Sequence, residues 1–420
     1  MGLNLTARDL RRMNRRTVLQ AMFADGVISR LELSQRSGLS TGTVTNVVAE
    51  LLSEGIIQES GFEASQGGRR RTVLTLNREY GYFLGGEIGE TDVAVELFDI
   101  TLQKLKSVRY PLPLEDNHPA QVVRYVVDGV AFLLQEAQIS ADKILGLGLG
   151  LPGIVEHTEK ELVSAPAWNW EPVPLKSMLQ QYFSFPLYIE NGAKAMAIAE
   201  MRLNPGLPRE TMVAVHLGTG VGIGIIYEGK LYRGATNSAG EWGHTIVALD
   251  GRTCRCGHQG CLEAYVGAPG ILYHLSEIDA QHPLLSGSDR NEISTMLALI
   301  ALARSDDPVA AQVIDDTLRY LGVGIANVIN LFNPQRITIG GWLGLQLGEL
   351  VLPTLHQIVK RYAISPALEI ATMSLSTLGR DGVSIGSAIL CLEDFIETVG
   401  GGRDVPSPTT LFPLSKERVS

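Results

Sequence analysis

Three cysteines and two histidines fall close together in one glycine-rich segment of the sequence. Cys254, Cys256 and Cys261 lie within eight residues, His244 precedes them by ten residues, and His258 lies among them. Three thiolates and one imidazole complete the tetrahedral shell of a structural zinc ion, and cytosolic chains seldom use disulfides. The spacing therefore predicts structural zinc held by the three cysteines and one of the two histidines.

Small polar residues near the N-terminus have the spacing of a DNA-reading helix. Ser40 can cap a helix in which valines and leucines form one apolar stripe until Gly55. The preceding helix begins after Ser29, with Glu32 completing a capping box, and ends near Gly38. Two helices this close form a helix-turn-helix, and the second exposes its first turns to the major groove. The residues of this unit predicted to contact DNA are Arg30, Thr41, Gly42, Thr43, Thr45 and Asn46.

An arginine-rich loop follows the helix-turn-helix. Residues 56–60 and 72–76 predict two short strands, and the loop between them carries Arg69, Arg70 and Arg71 beside two glycines. Such a wing can grip phosphates or enter a minor groove, so these three arginines are also predicted to contact DNA. The alternative is a helical dimerisation hairpin with a solvated arginine loop.

Charge is unevenly distributed along the 420 residues, whose net charge is -10. Residues 1–78 hold 11 arginines, no lysine and 7 acidic residues, a net of 11 - 7 = +4, which leaves -14 for the remainder. A basic segment on an acidic body is typical of a nucleic-acid module joined to another domain. The chain shows neither an apolar run of about 18 residues nor a signal peptide, so we expect a cytoplasmic protein without membrane insertion.

From Tyr80 onward, apolar strands alternate with helical patterns, which predicts an α/β architecture. Glycine-rich hairpins near Gly85 and Gly218 suggest two similar lobes that face a cleft. The lone Cys391, in an apolar helical run, is expected in the core. The strands are predicted at 81–98 (a pair), 144–151, 187–190, 212–227 (a pair) and 337–340, and helices at 121–138, 192–201 and 310–330.

Together these segments resemble the ROK family of repressors, open reading frames and sugar kinases, in particular its regulator branch. The resemblance covers roughly residues 8–395, and its most specific part is Glu241-Trp242-Gly243-His244 with the run from Cys254 to Glu263. It implies an N-terminal winged helix-turn-helix (1–78) followed by a two-lobed, actin-like and sugar-kinase-like (ROK, ribonuclease H-like) α/β domain (79–398). One lobe would comprise 79–190 with a C-terminal helix near 384–397, the other 191–383 with a zinc loop at 244–263, and 399–420 would be a disordered tail.

The resemblance also implies ligands. It favours His244 over His258 as the fourth zinc ligand. Sugar hydroxyls need donors and acceptors in fixed directions, which carboxylates and amides supply. Lys194 is expected either to pair with a phosphate or carboxylate on the sugar or to face solvent. The residues that match sugar-contacting positions are Asn169, Asn191, Glu241, His244 and Glu263.

The kinase machinery of the family is altered in this sequence. Where the family has a catalytic Asp after the Asn, this chain has Gly192, and loss of a general base costs roughly 100- to 10,000-fold in rate. The first phosphate loop, Asp-x-Gly-Gly-Thr in the kinases, begins here with Glu87 and carries Glu90 where phosphates should lie. The second glycine loop, 217–222, and Gly340-Gly341 look intact. The chain is therefore predicted not to be an enzyme.

Two functions remain open. The first is a sugar-responsive transcriptional regulator, mainly a repressor of carbohydrate-utilisation genes. It would bind double-stranded operator DNA as a homodimer or homotetramer and hold a sugar or sugar phosphate without phosphorylating it. The second is an ATP-dependent sugar kinase, glucokinase- or fructokinase-like, with an appended DNA-binding module. A DNA-reading zinc finger is disfavoured because the cysteine cluster lacks the paired Cys and His of that class.

Overall fold

Three helices and a three-stranded antiparallel sheet form the N-terminal part of the chain. The structure, a computed structural model, describes residues 6–62, 71–113, 116–156, 161–204, 206, 209–286 and 291–401. The elements are α1 (Ala7–Asp25), β1 (Val27–Ser29), α2 (Arg30–Ser37), α3 (Thr41–Ser53), β2 (Ile57–Phe62) and β3 (Thr72–Leu76). The strands lie in the order β1-β3-β2. The predicted winged helix-turn-helix is confirmed, although most of its wing tip, with Arg69 and Arg70, lies outside the described residues.

Local capping determines where the two helices of the helix-turn-helix begin and end. The Ser29 hydroxyl accepts a hydrogen bond from the Glu32 N–H, and the Glu32 carboxylate accepts one from the Ser29 N–H at 2.8 Å, so the predicted capping box is present. Gly38 ends α2 with a φ of 68°, a conformation that glycine adopts without strain. Ser40 caps α3 by accepting from the Thr43 N–H at 3.1 Å. These caps fix the short turn between α2 and α3.

A first lobe follows, built on a five-stranded sheet in the order β11-β7-β4-β5-β6. A small sheet of strands β8, β9 and β10 borders it. The elements are β4 (Tyr82–Ile88), β5 (Asp92–Asp99), β6 (Lys104–Pro111), α4 (Pro119–Ala137), β7 (Ile144–Leu151), β8 (Ile154–Val155), β9 (Val163–Ala165), β10 (Trp170–Val173), α5 (Leu175–Leu179) and β11 (Leu187–Asn191).

The second lobe contains another five-stranded sheet, in the order β14-β13-β12-β15-β16. Its main core lies between this sheet and the helices that follow β14, with buried residues such as Val215, Ile271 and Ile325. The elements are α6 (Gly192–Leu203), β12 (Met212–Leu217), β13 (Val221–Tyr227), β14 (Lys230–Leu231), α7 (Glu263–Val266), α8 (Ala268–Ile278), α9 (Glu292–Arg304), α10 (Pro308–Phe332), β15 (Arg336–Gly340), α11 (Trp342–Val359), α12 (Ser365–Ile370) and β16 (Thr372–Leu375). The chain then returns to the first lobe through α13 (Gly382–Gly401).

The two large sheets have the same topology. In each sheet, the first three strands pair antiparallel with one another in succession. The fourth strand pairs in parallel with the first, and the fifth pairs in parallel with the fourth. Numbered within its own sheet, each strand order is therefore 3-2-1-4-5. This repeat confirms the predicted pair of similar lobes and the two-lobed, sugar-kinase-like α/β fold.

The last helix, α13, joins the N-terminal unit to both lobes. It packs on β4 and β7 of the first lobe, on α6 and on α1. Gly148 of β7 permits the close approach, because a Cβ there would lie 1.9 Å from the Ser387 carbonyl oxygen. One continuous core contains Leu19 of α1, Phe83 of β4 and Leu392 of α13. The hydrophobic core of the N-terminal unit is thus shared with the first lobe.

The predicted beginning of the tail at 399 is wrong. Helix α13 continues to Gly401, because Val399 still packs against the shared core and its carbonyl oxygen accepts a hydrogen bond from Arg15. The rest of the predicted tail, 402–420, lies outside the described residues. Within the described ranges, every helix is too short or too polar to cross a bilayer.

Candidate ligand cleft, metal loop and nucleic-acid surface

A cleft of about 330 Å³ separates the two lobes. It lies beyond the C-terminal ends of central strands from both sheets, where an open α/β sheet leaves a crevice for ligands. Residues at or just beyond strand ends, such as Ile88, Leu151 and Asn191 from the first lobe and Gly218 and Gly341 from the second, line it. Helices α6 and α13 also begin at this cleft, with Gly192 and Val383 among its lining residues. The repeated topology therefore brings equivalent ends of both sheets to one cavity.

Four of the five predicted sugar-contacting residues come together in the cleft. Asn191, Glu241, His244 and Glu263 all line it. Asn191 also caps α6, and its side-chain amide donates to the Gly153 carbonyl at 2.8 Å. Burial raises the pKa of Glu241, whose carboxylate lies 4.0 Å from Nε2 of His244. These four residues supply carboxylate, imidazole and amide groups to one cavity.

Asn169 does not join this group. It is exposed, terminates a one-turn helix with a φ of 54°, and lies outside the cleft lining. Its neighbours Ala167 and Trp168 line the cleft instead. A sugar contact of Asn169 therefore remains a prediction that the cleft geometry does not support.

Lys194 occupies neither of the two environments predicted for it. It is 1% exposed, and its ammonium group donates to the backbone carbonyl of Asn237 and, at 3.3 Å, to the side-chain oxygen of the same residue. Asn237 in turn donates to Glu190 at 3.0 Å. Lys194 thus belongs to a buried network behind the cleft, where it contacts neither solvent nor the cavity.

The loop at residues 244–263, which we call the metal loop, brings four possible metal-ligand atoms close together. The ligand atoms of His244, Cys254, Cys256 and Cys261 all lie within 4.8 Å of one another. Sγ of Cys256 lies 3.7 Å from Sγ of Cys261, and Sγ of Cys254 lies 3.7 Å from Nδ1 of His244. Ligands held about 2.3 Å from zinc at tetrahedral angles are separated by about this distance. The four residues therefore form a cluster that could hold a metal ion and is compatible with structural zinc. Nδ1 of His258 lies 3.5 Å from Sγ of Cys256, but His258 is not one of these four residues.

Arg255, between two of these cysteines, crosses the cleft to the first lobe. Its guanidinium pairs with both carboxylate oxygens of Glu90, with the second contact at 3.2 Å. It also lies 3.1 Å from Oε1 of Glu263. The Glu90 carboxylate covers the second glycine loop, since a Cβ on Gly220 would lie 2.8 Å from Glu90 Oε1. In the same loop, a Cβ on Gly218 would lie 3.1 Å from the Trp342 indole nitrogen.

Two cleft residues were missed by sequence reasoning. His216 on β12 lines the cleft, and its Nδ1 is buried without a hydrogen-bond partner. Desolvation lowers the pKa of His216 to about 4, so the ring is neutral at physiological pH. Trp168 is 4% exposed, and its indole nitrogen also has no partner. A polar residue within the apolar run Met212–Leu217 was the available signal for His216.

The predicted DNA-contacting residues of α3 lie on its surface. Thr41, Gly42, Thr45 and Asn46 are exposed, and Thr43 is half-buried. The opposite face of α3 is buried through Val44, Val47, Val48 and Leu51, as predicted. Arg30 is paired with Glu59 at 2.9 Å. Arg71 is exposed and directly precedes β3. The first turns of α3 thus form a continuous polar surface at the N-terminal end of that helix.

Two protein families match the chain, and they divide it into two parts. The winged helix-turn-helix DNA-binding family matches residues 14–58, and the ROK family matches residues 83–394. The xylose repressor of Caldicellulosiruptor bescii is 29% identical over 390 residues, which are 92% of this chain and 97% of that protein. The glucokinase of Halalkalibacterium halodurans is 30% identical over 313 residues, which are 74% of this chain and 94% of that protein.

A solved structure matches nearly the whole chain. It is a ROK family transcriptional regulator described as a homologue of the E. coli MLC protein. The TM-score is 0.76 at 25% identity, over 93% of this chain and 98% of that chain. The repressor and the regulator thus match more than nine-tenths of the chain, and the glucokinase about three-quarters.

Proposed function

The chain belongs to the ROK family, and from this premise we propose that it is a sugar-responsive transcriptional repressor. The winged helix-turn-helix binds double-stranded operator DNA upstream of carbohydrate-utilisation genes, and the cleft binds a sugar or sugar phosphate. The relatives that span the chain, a xylose repressor and a transcriptional regulator, support this function over that of a kinase.

One observation supports the sensor half of the proposal, which is that the cleft binds a sugar. Asn191, Glu241, His244 and Glu263 converge in a single cleft whose volume of about 330 Å³ suits a small ligand. Sugar hydroxyls are both donors and acceptors, so a cavity that offers carboxylates, an imidazole and an amide can satisfy several of them at once.

The same cleft lacks the groups that transfer a phosphate. Gly192 provides no carboxylate at the position of the family's base. Packing does not require glycine there, because a Cβ would meet nothing closer than 3.7 Å. Desolvation raises the pKa of Glu87 to about 7, which leaves that carboxyl only partly ionised at neutral pH. The Glu90 carboxylate on the glycine loop repels phosphates. We infer that the protein releases its sugar unchanged.

A structural zinc ion held by His244, Cys254, Cys256 and Cys261 fits this function. Zinc bound by three thiolates and one imidazole supplies no open position for chemistry and instead fixes the loop. With Nδ1 of His244 directed toward Cys254, its Nε2 remains available to a ligand beside Glu241. The loop would thereby orient one wall of the sugar site.

Helix α13 provides a route from the sugar to the DNA. Its first residues line the cleft, and its last residues contact α1 of the DNA-binding unit. It also packs closely on α6, since a Cβ on Gly386 would lie 1.8 Å from the Ala195 carbonyl oxygen. A ligand that moves the beginning of α6 must therefore move α13 or strain this contact.

A homodimer or homotetramer is the assembly we propose. Two helix-turn-helix units related by a two-fold axis read a pseudo-palindromic operator with half-sites about 34 Å apart, or a multiple of that distance. Because the operator lies on the chromosome, the proposed site of action is the cytoplasm.

Fluorescence anisotropy with the upstream DNA of the protein's own gene tests both halves of the proposal. We expect salt-dependent DNA binding that weakens when one member of a sugar panel is added. D-xylose, glucose, N-acetylglucosamine and their phosphates form the panel. A test variant, Glu241→Gln, changes one proposed sugar contact. It should bind DNA normally but respond less to sugar. If no sugar alters DNA affinity, the sensor half is wrong, and if the DNA is not bound, the repressor half is wrong.

Sugar-dependent consumption of ATP tests the kinase alternative. We expect none for the natural chain, nor for Gly192→Asp, which restores the carboxylate but leaves Glu90 on the glycine loop. Turnover of any sugar by the natural chain would show that it is an enzyme with an appended DNA-binding module.

A further inference from the structure

Three charged side chains link the two lobes across the cleft, and we call them the cross-cleft cluster: Glu90, Arg255 and Glu263. Glu90 lies at the tip of the β4–β5 hairpin in the first lobe, whereas Arg255 and Glu263 belong to the metal loop and α7 of the second. The side chains of Glu90 and Glu263 are 6% and 8% exposed, and that of Arg255 is 30% exposed. Salt and water screen such pairs less than they screen surface ion pairs.

Arg255 fixes the orientation of Glu263. Oε1 of Glu263 accepts from Arg255 at 3.1 Å, and Oε2 accepts from the Val221 N–H at 2.9 Å. With a donor on each oxygen, the carboxylate cannot rotate freely. The Cys254 thiol also lies 3.9 Å from Oε1. Because Glu263 lines the cleft, its remaining lone pairs can accept from ligand hydroxyls there. A planar guanidinium that reaches two carboxylates at once is suited to this task.

The cluster also covers the turn at 218–220. Arg255 donates to the Thr219 carbonyl at 3.3 Å, and Glu90 lies against Gly220. Side chains of the protein itself therefore occupy the space beside this turn and connect the lobes there.

We propose that Arg255 is a positioning residue that bridges the lobes through Glu90 and holds Glu263 for the ligand. The bridging role stands on the contacts of the cluster, and the ligand role rests on the proposed sugar function. Because Arg255 lies between two predicted zinc ligands, the bridge also depends on the fold of the metal loop.

Hydrogen–deuterium exchange of the ligand-free, full-length protein tests the bridge. Four proteins are compared: the natural chain, Arg255→Met, Glu90→Gln and the double variant. The exchange rate of peptides that cover the β4–β5 hairpin tip is measured in each. We expect several-fold faster exchange at this tip in both single variants. The double variant should be no faster than the faster single variant, because either change removes the same bridge.

Arg304→Met is the matched control, since Arg304 forms an ion pair of the second lobe, with Glu349 at 3.4 Å, outside the cleft. It should leave exchange at the hairpin tip unchanged. Unchanged exchange in both Arg255→Met and Glu90→Gln would overturn the proposal, as would additive effects in the double variant. Zinc content is measured for each variant. If Arg255→Met loses zinc, Glu90→Gln, which lies outside the metal loop, decides the result.

Sugar titrations separate this proposal from the proposed function. With a sugar that the natural chain binds, Arg255→Met should bind about tenfold more weakly, as expected when a charged hydrogen bond that orients a contact is lost. Equal affinity would overturn the positioning role. If the natural chain binds no sugar at all, the proposed function fails, and the exchange experiment still decides whether the bridge forms.

Discussion

At the scale of single residues, Glu87 makes the free energy of unfolding depend on pH. Desolvation raises the pKa of its carboxyl group from 4.5 to about 7, and Arg109 only partly opposes the effect. Between these two values the unfolded chain has released the proton while the folded chain keeps it. The free energy of unfolding therefore falls as the pH rises through this window.

Replacing Glu87 with Gln should remove that pH dependence. We expect Glu87→Gln to melt a few degrees above the natural chain at about pH 8, with a smaller difference at about pH 5. Thermal melts across this range measure the effect. Glu79→Gln, at an exposed position, is the control and should leave the pH dependence unchanged. An increase in Tm that is equal at both pH values would contradict the assignment.

Cys261 is buried in the metal loop, and its loss should release the metal. We expect Cys261→Ser to lose about one zinc ion per chain and to melt at a lower temperature, because structural zinc contributes directly to folding. Plasma mass spectrometry of the purified protein measures the metal. Cys391→Ala, which changes a buried cysteine of α13, should retain the zinc. Retention of zinc by Cys261→Ser would show that the four residues are not the ligand set.

At the scale of elements, α3 has two faces with different roles. Its buried valines and leucine stabilise the N-terminal unit, and its exposed first turns carry only small polar side chains. Such side chains let a helix approach base edges closely. The proposed DNA-binding surface can therefore be altered without disturbing the core that supports it.

Asn46→Ala tests this separation within α3. We expect operator affinity to fall about tenfold, as is typical when a contact to a base edge is lost, while the response to sugar and Tm stay unchanged. Anisotropy titrations measure the affinity. Ser53→Ala, at the far end of the same helix, is the control and should bind DNA normally. Normal binding by Asn46→Ala would remove that residue from the proposed interface.

At the scale of the whole molecule, Arg15 ties the DNA-binding unit to α13. Its guanidinium donates to the Val399 carbonyl at 3.1 Å and pairs with Glu54 at 2.6 Å and Glu50 at 3.0 Å. The side chain is only 11% exposed, so these contacts are shielded from water. Arg15 thus connects the end of α13 to α1 and the end of α3.

Arg15→Met should therefore reduce the coupling between sugar binding in the cleft and DNA binding by the N-terminal unit. We expect the variant to bind sugar normally but to show a smaller change in DNA affinity when sugar is added. Arg16→Met is the matched control, because the neighbouring Arg16 also pairs with α13, at Glu397, but both side chains are about half exposed. A full sugar response in Arg15→Met would show that coupling takes another route.

Much of this organisation could be predicted from local sequence signals. Ser29 with Glu32, Ser40 and Gly38 defined the helix-turn-helix because capping involves residues only two or three positions apart. The glycine-rich strand pairs indicated two lobes, and the spacing of the cysteines together with the family motif indicated the metal loop. Such signals reside in neighbouring residues and do not need the tertiary fold.

Other features depended on the tertiary structure because they join residues far apart in the sequence. Arg255 meets Glu90 across 165 residues, and Arg15 meets Val399 across 384. The sequence also did not reveal which polar residues are buried. Lys194 is enclosed behind the cleft, whereas Asn169 is exposed. Spacing along a chain specifies which residues share a helix face or a turn. Only the packing of the two lobes and α13 determines which of them face one another.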